Sequence, residues 1–194
     1  DGLASLASSL GQRSSLPVDY PDGDNTYGLV DQLSHFLSES ITDALVRKAP
    51  ARFAISVQAI LLSALVKTMA YWTGTHALWI ETEGHGREEI PGTALGGADL
   101  SRTMGWFTSI YPLYLEIDPK AGSAESAAQV EQQIRKIPHR GVGFGVLKYL
   151  SKDELVRTRM QKIPAPEINF NYLGQFDQTG SGSRQPEAAI PSNS

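Results

Sequence analysis

Between Ser56 and Gly74 apolar side chains recur at three- and four-residue steps, and a short run of β-formers, Ala77-Leu-Trp-Ile-Glu-Thr82, follows almost at once. The spacing of Val57, Ile60, Leu61, Ala64, Leu65, Thr68 and Trp72 predicts a helix with one buried stripe, opened by Ser56 as N-cap and stopped by Gly74. The second run predicts a strand buried on at least one face. A helix leading directly into such a strand commits the chain to a layered α/β arrangement, because each element needs the other to cover its apolar side.

The rest of the sequence supplies further layers. Leu29 to Leu37 shows enough alternation for a strand, after which Ser40 or Thr42 caps a short helix that ends near Lys48 and is stopped by Pro50. Gly92, Gly96 and Gly97 make 91–100 a loop. Leu113, Leu115 and Ile117 alternate as one side of a strand after Pro112. Ser123 caps a helix whose Ala127, Val130, Ile134 and Ile137 face inward, with Arg135 and Lys136 well placed for its dipole. Ser151-Lys-Asp-Glu154 has the form of a capping box opening a helix to about Met160. A last strand spans 167–173. Strands and helices alternate irregularly and no repeat is visible, so the expected fold class is α/β, a mixed sheet with helices packed on it. Residues 1–26, dominated by Ser, Gly, Asp and Pro, read as connector, 27–176 as the folded lobe, and 177–194 as a polar, flexible tail.

Composition narrows the function classes. A chain of 194 residues has room for one core. It has no Cys, which excludes disulfides, thiolate metal sites and thiol catalysis and suits an intracellular, cytoplasmic setting. The net charge of −4 gives no global attraction to nucleic acid. Residues 131–162 do carry eight Lys or Arg against three acids, which reads either as a dock for an acidic partner or as the wet faces of two helices. The longest uncharged apolar stretch, Phe53 to Val66, is too short and too polar to span a bilayer. With no initiator Met and no signal-like start, the sequence is expected to be a fragment.

Four segments are unusually polar or glycine-rich for their positions. In Glu83-Gly-His-Gly-Arg-Glu88, a continued strand projects Glu83, His85 and Arg87 to one side while the glycines admit another backbone or a thin ligand. The same residues also read as a solvated turn with Glu83 and Arg87 paired. A metal reading of His85 with Glu83 and Glu88 lacks a second His at helical spacing, so no metal is expected. Arg102-Thr-Met-Gly-Trp-Phe-Thr-Ser-Ile-Tyr-Pro112 offers a basic residue and three aromatics, fit either to line an apolar tunnel through Arg102, Trp106 and Phe107 or to fill core. Gly141-Val-Gly-Phe-Gly145 has neither the spacing of a dinucleotide fingerprint nor a P-loop ending, and reads as bendable backbone. In Asn169-Phe-Asn-Tyr-Leu-Gly174, regular strand geometry puts Asn169 and Asn171 on one face and Phe170 and Tyr172 on the other, so Asn171 and Tyr172 do not share a pocket.

Taken in order, Glu83-Gly-His-Gly-Arg-Glu88, Arg102 to Pro112, Pro138-His-Arg-Gly-Val-Gly-Phe-Gly145 and Phe170-Asn-Tyr-Leu-Gly-Gln175 resemble the later core motifs of nonribosomal peptide synthetase epimerization domains, members of the condensation-domain superfamily. The resemblance spans about Leu16 to Phe176; Leu16-Pro-Val-Asp-Tyr-Pro and Gly23-Asp-Asn-Thr26 also look like the family's segment before its second lobe. Met104 and Phe144 stand where the family often has Val and Tyr. The family's first-lobe signature, His-His followed after three residues by Asp-Gly, does not occur, so the chain looks like the C-terminal lobe only.

The resemblance implies a chloramphenicol-acetyltransferase-like fold in which two lobes meet in a V around a reaction tunnel, and a role in secondary-metabolite or antibiotic biosynthesis. It implies inversion of the α-carbon of an aminoacyl or peptidyl thioester held on the 4'-phosphopantetheine arm of a peptidyl carrier protein. No cofactor bound by this chain is implied. Glu83 becomes the acid/base residue of this lobe, opposite an imidazole of the N-terminal lobe that carries the paired histidines. Asn171 and Tyr172 match positions implicated in activity, as enolate stabilisers or in substrate orientation. His85, Arg87, Arg102, Trp106 and Phe107 become substrate-side residues, with His85 positioning the carboxylate. A condensation lobe, a transferase joining two carrier-bound acyl groups, and a non-catalytic carrier-docking module are the alternatives.

Overall fold

The computed structural model describes residues 16–24, 26–87, 102–163 and 165–174. The expected loop at 91–100, the tail at 177–194 and the first fifteen residues of the connector lie outside the described residues.

Among the described residues the first element is a 3-10 turn at Tyr27–Leu29. Helix α1, Glu39–Asp43, runs through a π-turn at Ala44–Lys48 into α2, Ala49–Phe53. The long α3 spans Val57–Thr73 and leads to β1, Ala77–Gly84; β2 is Ser109–Glu116 and α4 is Ser123–Arg135. A 3-10 turn at Pro138–Gly141, the short α5 at Val142–Gly145 and a π-turn at Val146–Leu150 then precede α6, Glu154–Gln161, and β3, Ile168–Phe170.

The sheet has the order β2-β1-β3, antiparallel between β1 and β2 and parallel between β1 and β3. It is the expected mixed sheet, and helices pack on one of its faces. Strand alternation assigns the faces. Leu78, Ile80 and Thr82 of β1 are buried, as are Leu113 and Leu115 of β2. The four aliphatic residues among them meet Ile55, Ala59, Leu62 and Val66 at and along α3 and Ala127 and Val130 of α4 in one apolar cluster. Each large apolar side chain among them contributes about 1.5–3 kcal/mol by leaving water. Ala77, Trp79, Glu81 and Glu83 occupy the other face.

Both ends of α3 form as the sequence predicts. Ser56 Oγ accepts from Ala59 N at 3.1 Å, and Gly74 closes the helix in the left-handed region at φ 74°. The buried stripe differs from the expected one: it is Ala59, Leu62, Ser63, Val66 and Ala70, while Ala64, Thr68 and Trp72 are exposed. The helix is apolar on most of its circumference, so periodicity fits more than one stripe. The small residues Ala59, Ser63 and Ala70 mark the side that meets its neighbours.

Other expectations are corrected locally. Leu29 to Leu37 forms no strand beyond the 3-10 turn, and Leu33 and Phe36 are 96% and 88% exposed. Its alternation has no neighbouring strand among the described residues to pair with. The following helix is capped by Ser38, which accepts from Ile41 N, and not by Ser40 or Thr42. Pro50 does not stop it: the proline sits in the first turn of α2, just after the π-turn, where a widened turn makes room for its ring. The helical path ends at Ala54, which is left-handed at φ 51°.

Pro112 lies inside β2, which begins earlier than expected; among the described residues β2 is an edge strand, where a missing N–H is tolerated. The cap of α4 is Gly122, with Ser123 its first residue, and α6 is capped by Asp153, whose carboxylate accepts from Leu155 N and Val156 N, in place of Ser151. Strand β3 holds three residues only, fewer than the run at 167–173 suggests. Among the described residues no single helix is long and apolar enough to cross a membrane.

Candidate functional site

The outer face of β1 ends in two carboxylates two residues apart, Glu81 and Glu83. Opposite them, β3 brings Glu81 level with Asn169, and the same register carried one step past its last pair, Thr82 with Phe170, brings Glu83 level with Asn171. Two parallel rungs result. Asn169 Nδ2 donates to Glu81 Oε2 at 3.2 Å and Asn171 Nδ2 to Glu83 Oε2 at 2.9 Å. Ile168 and Phe170 pack against the core from the other side of β3, so its alternation turns the amides outward. Glu83 is half-buried, and among the described residues its Oε1 has no hydrogen-bond partner. One carboxylate oxygen is held and the other is available.

The other segments gather at the same strand end. Gly86 is left-handed at φ 65°, and a Cβ there would stand 1.4 Å from the Phe107 carbonyl oxygen, so only glycine permits this approach. Arg87 continues the junction: its guanidinium donates to the carbonyls of Thr103 at 2.9 Å and Gly105 at 3.2 Å and lies 4.7 Å over the Phe107 ring. The pairing of Arg87 with Glu83 that the turn reading allowed is not formed. His85 Nδ1 accepts from the Arg87 backbone N–H at 3.0 Å. Strand β1 ends at Gly84, so His85 and Arg87 do not extend the Glu83 face as a continued strand would have them do.

In the glycine-rich third segment Val142–Gly145 is helical, while the chain bends at Gly141 and makes a specific contact there. Gly141, at φ 79°, lies so close to the Tyr111 ring that a Cβ would come within 2.1 Å of it, and the Arg140 carbonyl lies 3.5 Å from where a Gly84 Cβ would be. His139 and Arg140 are also left-handed, each at φ 47°, so two residues with side chains adopt a conformation costly to them just before Gly141 reaches the strand end. Beneath it, Thr82 Oγ1 and Ser109 Oγ are buried without a hydrogen-bond partner among the described residues.

All four sequence segments therefore converge on the C-terminal end of β1. Glu83 and Asn171 are in direct contact. Tyr172 follows in irregular backbone, 36% exposed, and makes no hydrogen bond to Glu83. Trp106 is 97% exposed, Arg102 is also exposed, and Phe107 lies beneath Arg87. Sequence reasoning set Asn169 on the Asn171 face but gave it no role, and it missed Glu81. Their signal was the facing of Glu-x-Glu against Asn-x-Asn, legible only once β3 is known to pair parallel to β1. Farther along the outer face, Trp79 and Tyr114 are 6.4 Å apart between ring centroids, and burial, with Glu116 nearby, raises the Tyr114 phenol above its ordinary value. Among the described residues no three His, Asp or Glu side chains gather closely enough to hold a metal ion.

A family model described as the condensation domain matches residues 4–192. The chain belongs to the condensation-domain family. Among other members, it is 44% identical over 167 residues to a component of the linear gramicidin synthase of Brevibacillus parabrevis, covering 86% of this chain and 3% of that protein. It is 36% identical over 169 residues to bacitracin synthase 2 of Bacillus licheniformis, covering 87% of this chain and 6% of that one. The solved epimerization domain from the third module of tyrocidine synthetase B superposes with a TM-score of 0.76 at 30% identity, over 90% of this chain and 40% of that chain. This member thus spans a few per cent of the length of these synthases and under half of the epimerization domain. Its fold is the chloramphenicol-acetyltransferase-like α/β class that the sequence motifs implied.

Proposed function

We propose that this chain is the C-terminal lobe of a peptide synthetase epimerization domain, inverting L to D at the α-carbon of an aminoacyl or peptidyl thioester on the phosphopantetheine arm of a carrier protein. The observation that carries the reading is the Asn171–Glu83 hydrogen bond at the end of β1, which fixes one carboxylate oxygen and leaves Oε1 for a proton. The 30% identity and close superposition with an epimerization domain support it.

A thioester acidifies its α-hydrogen, but inversion needs a proton removed at one face and returned at the other. In the proposed cycle the Cα–H bond breaks, its electron pair enters the enolate, and a new Cα–H bond forms on the opposite face, with no redox change. Glu83 serves one face. An imidazole from the N-terminal lobe with the paired histidines serves the other. Asn171 orients the carboxylate, Tyr172 lies close enough in sequence to meet the substrate or enolate, and His85, Arg102 and Trp106 line the substrate side. Arg87 acts through the segments it clamps, holding Phe107 and its neighbours against the strand end. Exposed Leu33, Phe36 and Ile41 suit a chain whose apolar surface is covered by that lobe.

The condensation reading is kept by the family model's own description. The two are separated by loading the carrier of the intact parent protein with one aminoacyl group in deuterated water and supplying no acceptor carrier. Deuterium at the α-carbon with scrambling of configuration is expected; a configurationally inert thioester that reacts only when an acceptor arrives would establish condensation instead.

A further inference from the structure

We infer that Glu81 and Asn169 are positioning residues whose rung selects the register that delivers Asn171 to Glu83. Strand β3 pairs with β1 at only three positions, Ile80 with Ile168, Glu81 with Asn169 and Thr82 with Phe170, and Asn171 stands one residue beyond the last. A slip of one residue is forbidden, since it would turn Ile168 and Phe170 away from the core they pack against.

A slip of two residues meets no such objection. It preserves the inward and outward alternation and keeps an apolar β3 residue on the core face. Because Glu-x-Glu faces Asn-x-Asn, it also keeps one amide-to-carboxylate bond: Asn171 with Glu81 in one direction, Asn169 with Glu83 in the other. The apolar pattern is therefore blind to the difference between these alignments. The observed register alone makes both rungs, at 3.2 and 2.9 Å. Both are exposed bonds that compete with water, so neither alone discriminates strongly and their number decides. Outside the ladder, the Leu16 backbone N–H donates to Glu167 Oε2 at 2.7 Å and tethers the approach to β3 without touching the rungs.

The activity arm of the test rests on the epimerase reading; the amide-exchange arm does not. In the intact parent protein, Asn169→Asp sets a carboxylate against Glu81 at unchanged size. It is expected to lower kcat for α-proton exchange by about tenfold or more with little change in KM, since it displaces a catalytic partner and not the substrate. It is also expected to speed amide hydrogen exchange across 168–172 while leaving 57–73 unchanged. Combining it with Glu81→Gln restores the bond with donor and acceptor exchanged, and should return both readouts to within about threefold of the natural protein. Asn169→Asp that alters neither readout, or a reversed pair as impaired as the single variant, would overturn the inference. Amide exchange restored without α-proton exchange would also overturn it, by giving the Glu81 charge a direct part in the chemistry. A natural protein that exchanges no α-proton removes the epimerase reading, and the amide-exchange arm then decides the rung by itself.

Discussion

The two faces of β1 carry different burdens. Its even-numbered residues Leu78, Ile80 and Thr82 are buried, the first two packed with α3 and α4 in the core that holds the layers together; its odd-numbered residues Glu81 and Glu83 make hydrogen bonds to the short β3 segment. Area removed from water stabilises the first face, while geometry of a few polar atoms defines the second. Under the proposed function one strand separates stability from chemistry by side-chain parity, and each can be broken without the other.

The largest expected effect on stability comes from the inner face. Leu62→Ala leaves a cavity at a position with no exposure and should cost about 2–5 kcal/mol in urea unfolding, with the protein that still folds keeping its site. Next comes the strand end: Gly86→Ala drives a Cβ into the Phe107 carbonyl from a left-handed backbone, and should cost on the order of 1–3 kcal/mol while raising protease sensitivity around 103–107. Equal stability of Gly86→Ala and the natural protein would show that the first and second segments are not interlocked.

A smaller effect lies between the helices. Burial pushes the Glu131 carboxyl up, but hydrogen bonds from Ser56 and the Arg135 guanidinium outweigh it and hold the group below its ordinary value. The folded state therefore prefers the ionised form. That contribution is fully present above the ordinary glutamate range and is lost as pH falls through and below it. Glu131→Gln should cost about 1 kcal/mol at pH 7 and make the acid limb of stability shallower, as read from unfolding midpoints between about pH 7 and pH 3. Smallest of all, Glu83→Gln on the outer face should leave the unfolding free energy within about 0.5 kcal/mol of the natural protein.

The same division explains what could be read in the sequence. The ends of α3 were legible because Ser56 and Gly74 act on backbone groups a few residues away. Its buried face was not, because Leu61, Leu62, Leu65 and Val66 crowd the circumference and only the partners choose among them. Alternation at Leu29 to Leu37 misled because a strand needs a neighbour, which no local pattern supplies. Pro50 misled because the π-turn before it is invisible in the sequence. At the site, Glu83 and Asn171 were reached through motif resemblance, whereas the pairing of Glu81 with Asn169 was not legible: that pair spans 88 residues, and it depends on a register that exists only after folding.

The central claim, that the Glu83 carboxylate handles the α-proton, is tested most directly by deuterium incorporation in a single turnover of the carrier-loaded intact protein, comparing natural Glu83 with Glu83→Gln. The account predicts that exchange is abolished in the variant while the thioester remains bound and the fold is unchanged. Deuterium appearing at the α-carbon of the Glu83→Gln protein at the natural rate would contradict it.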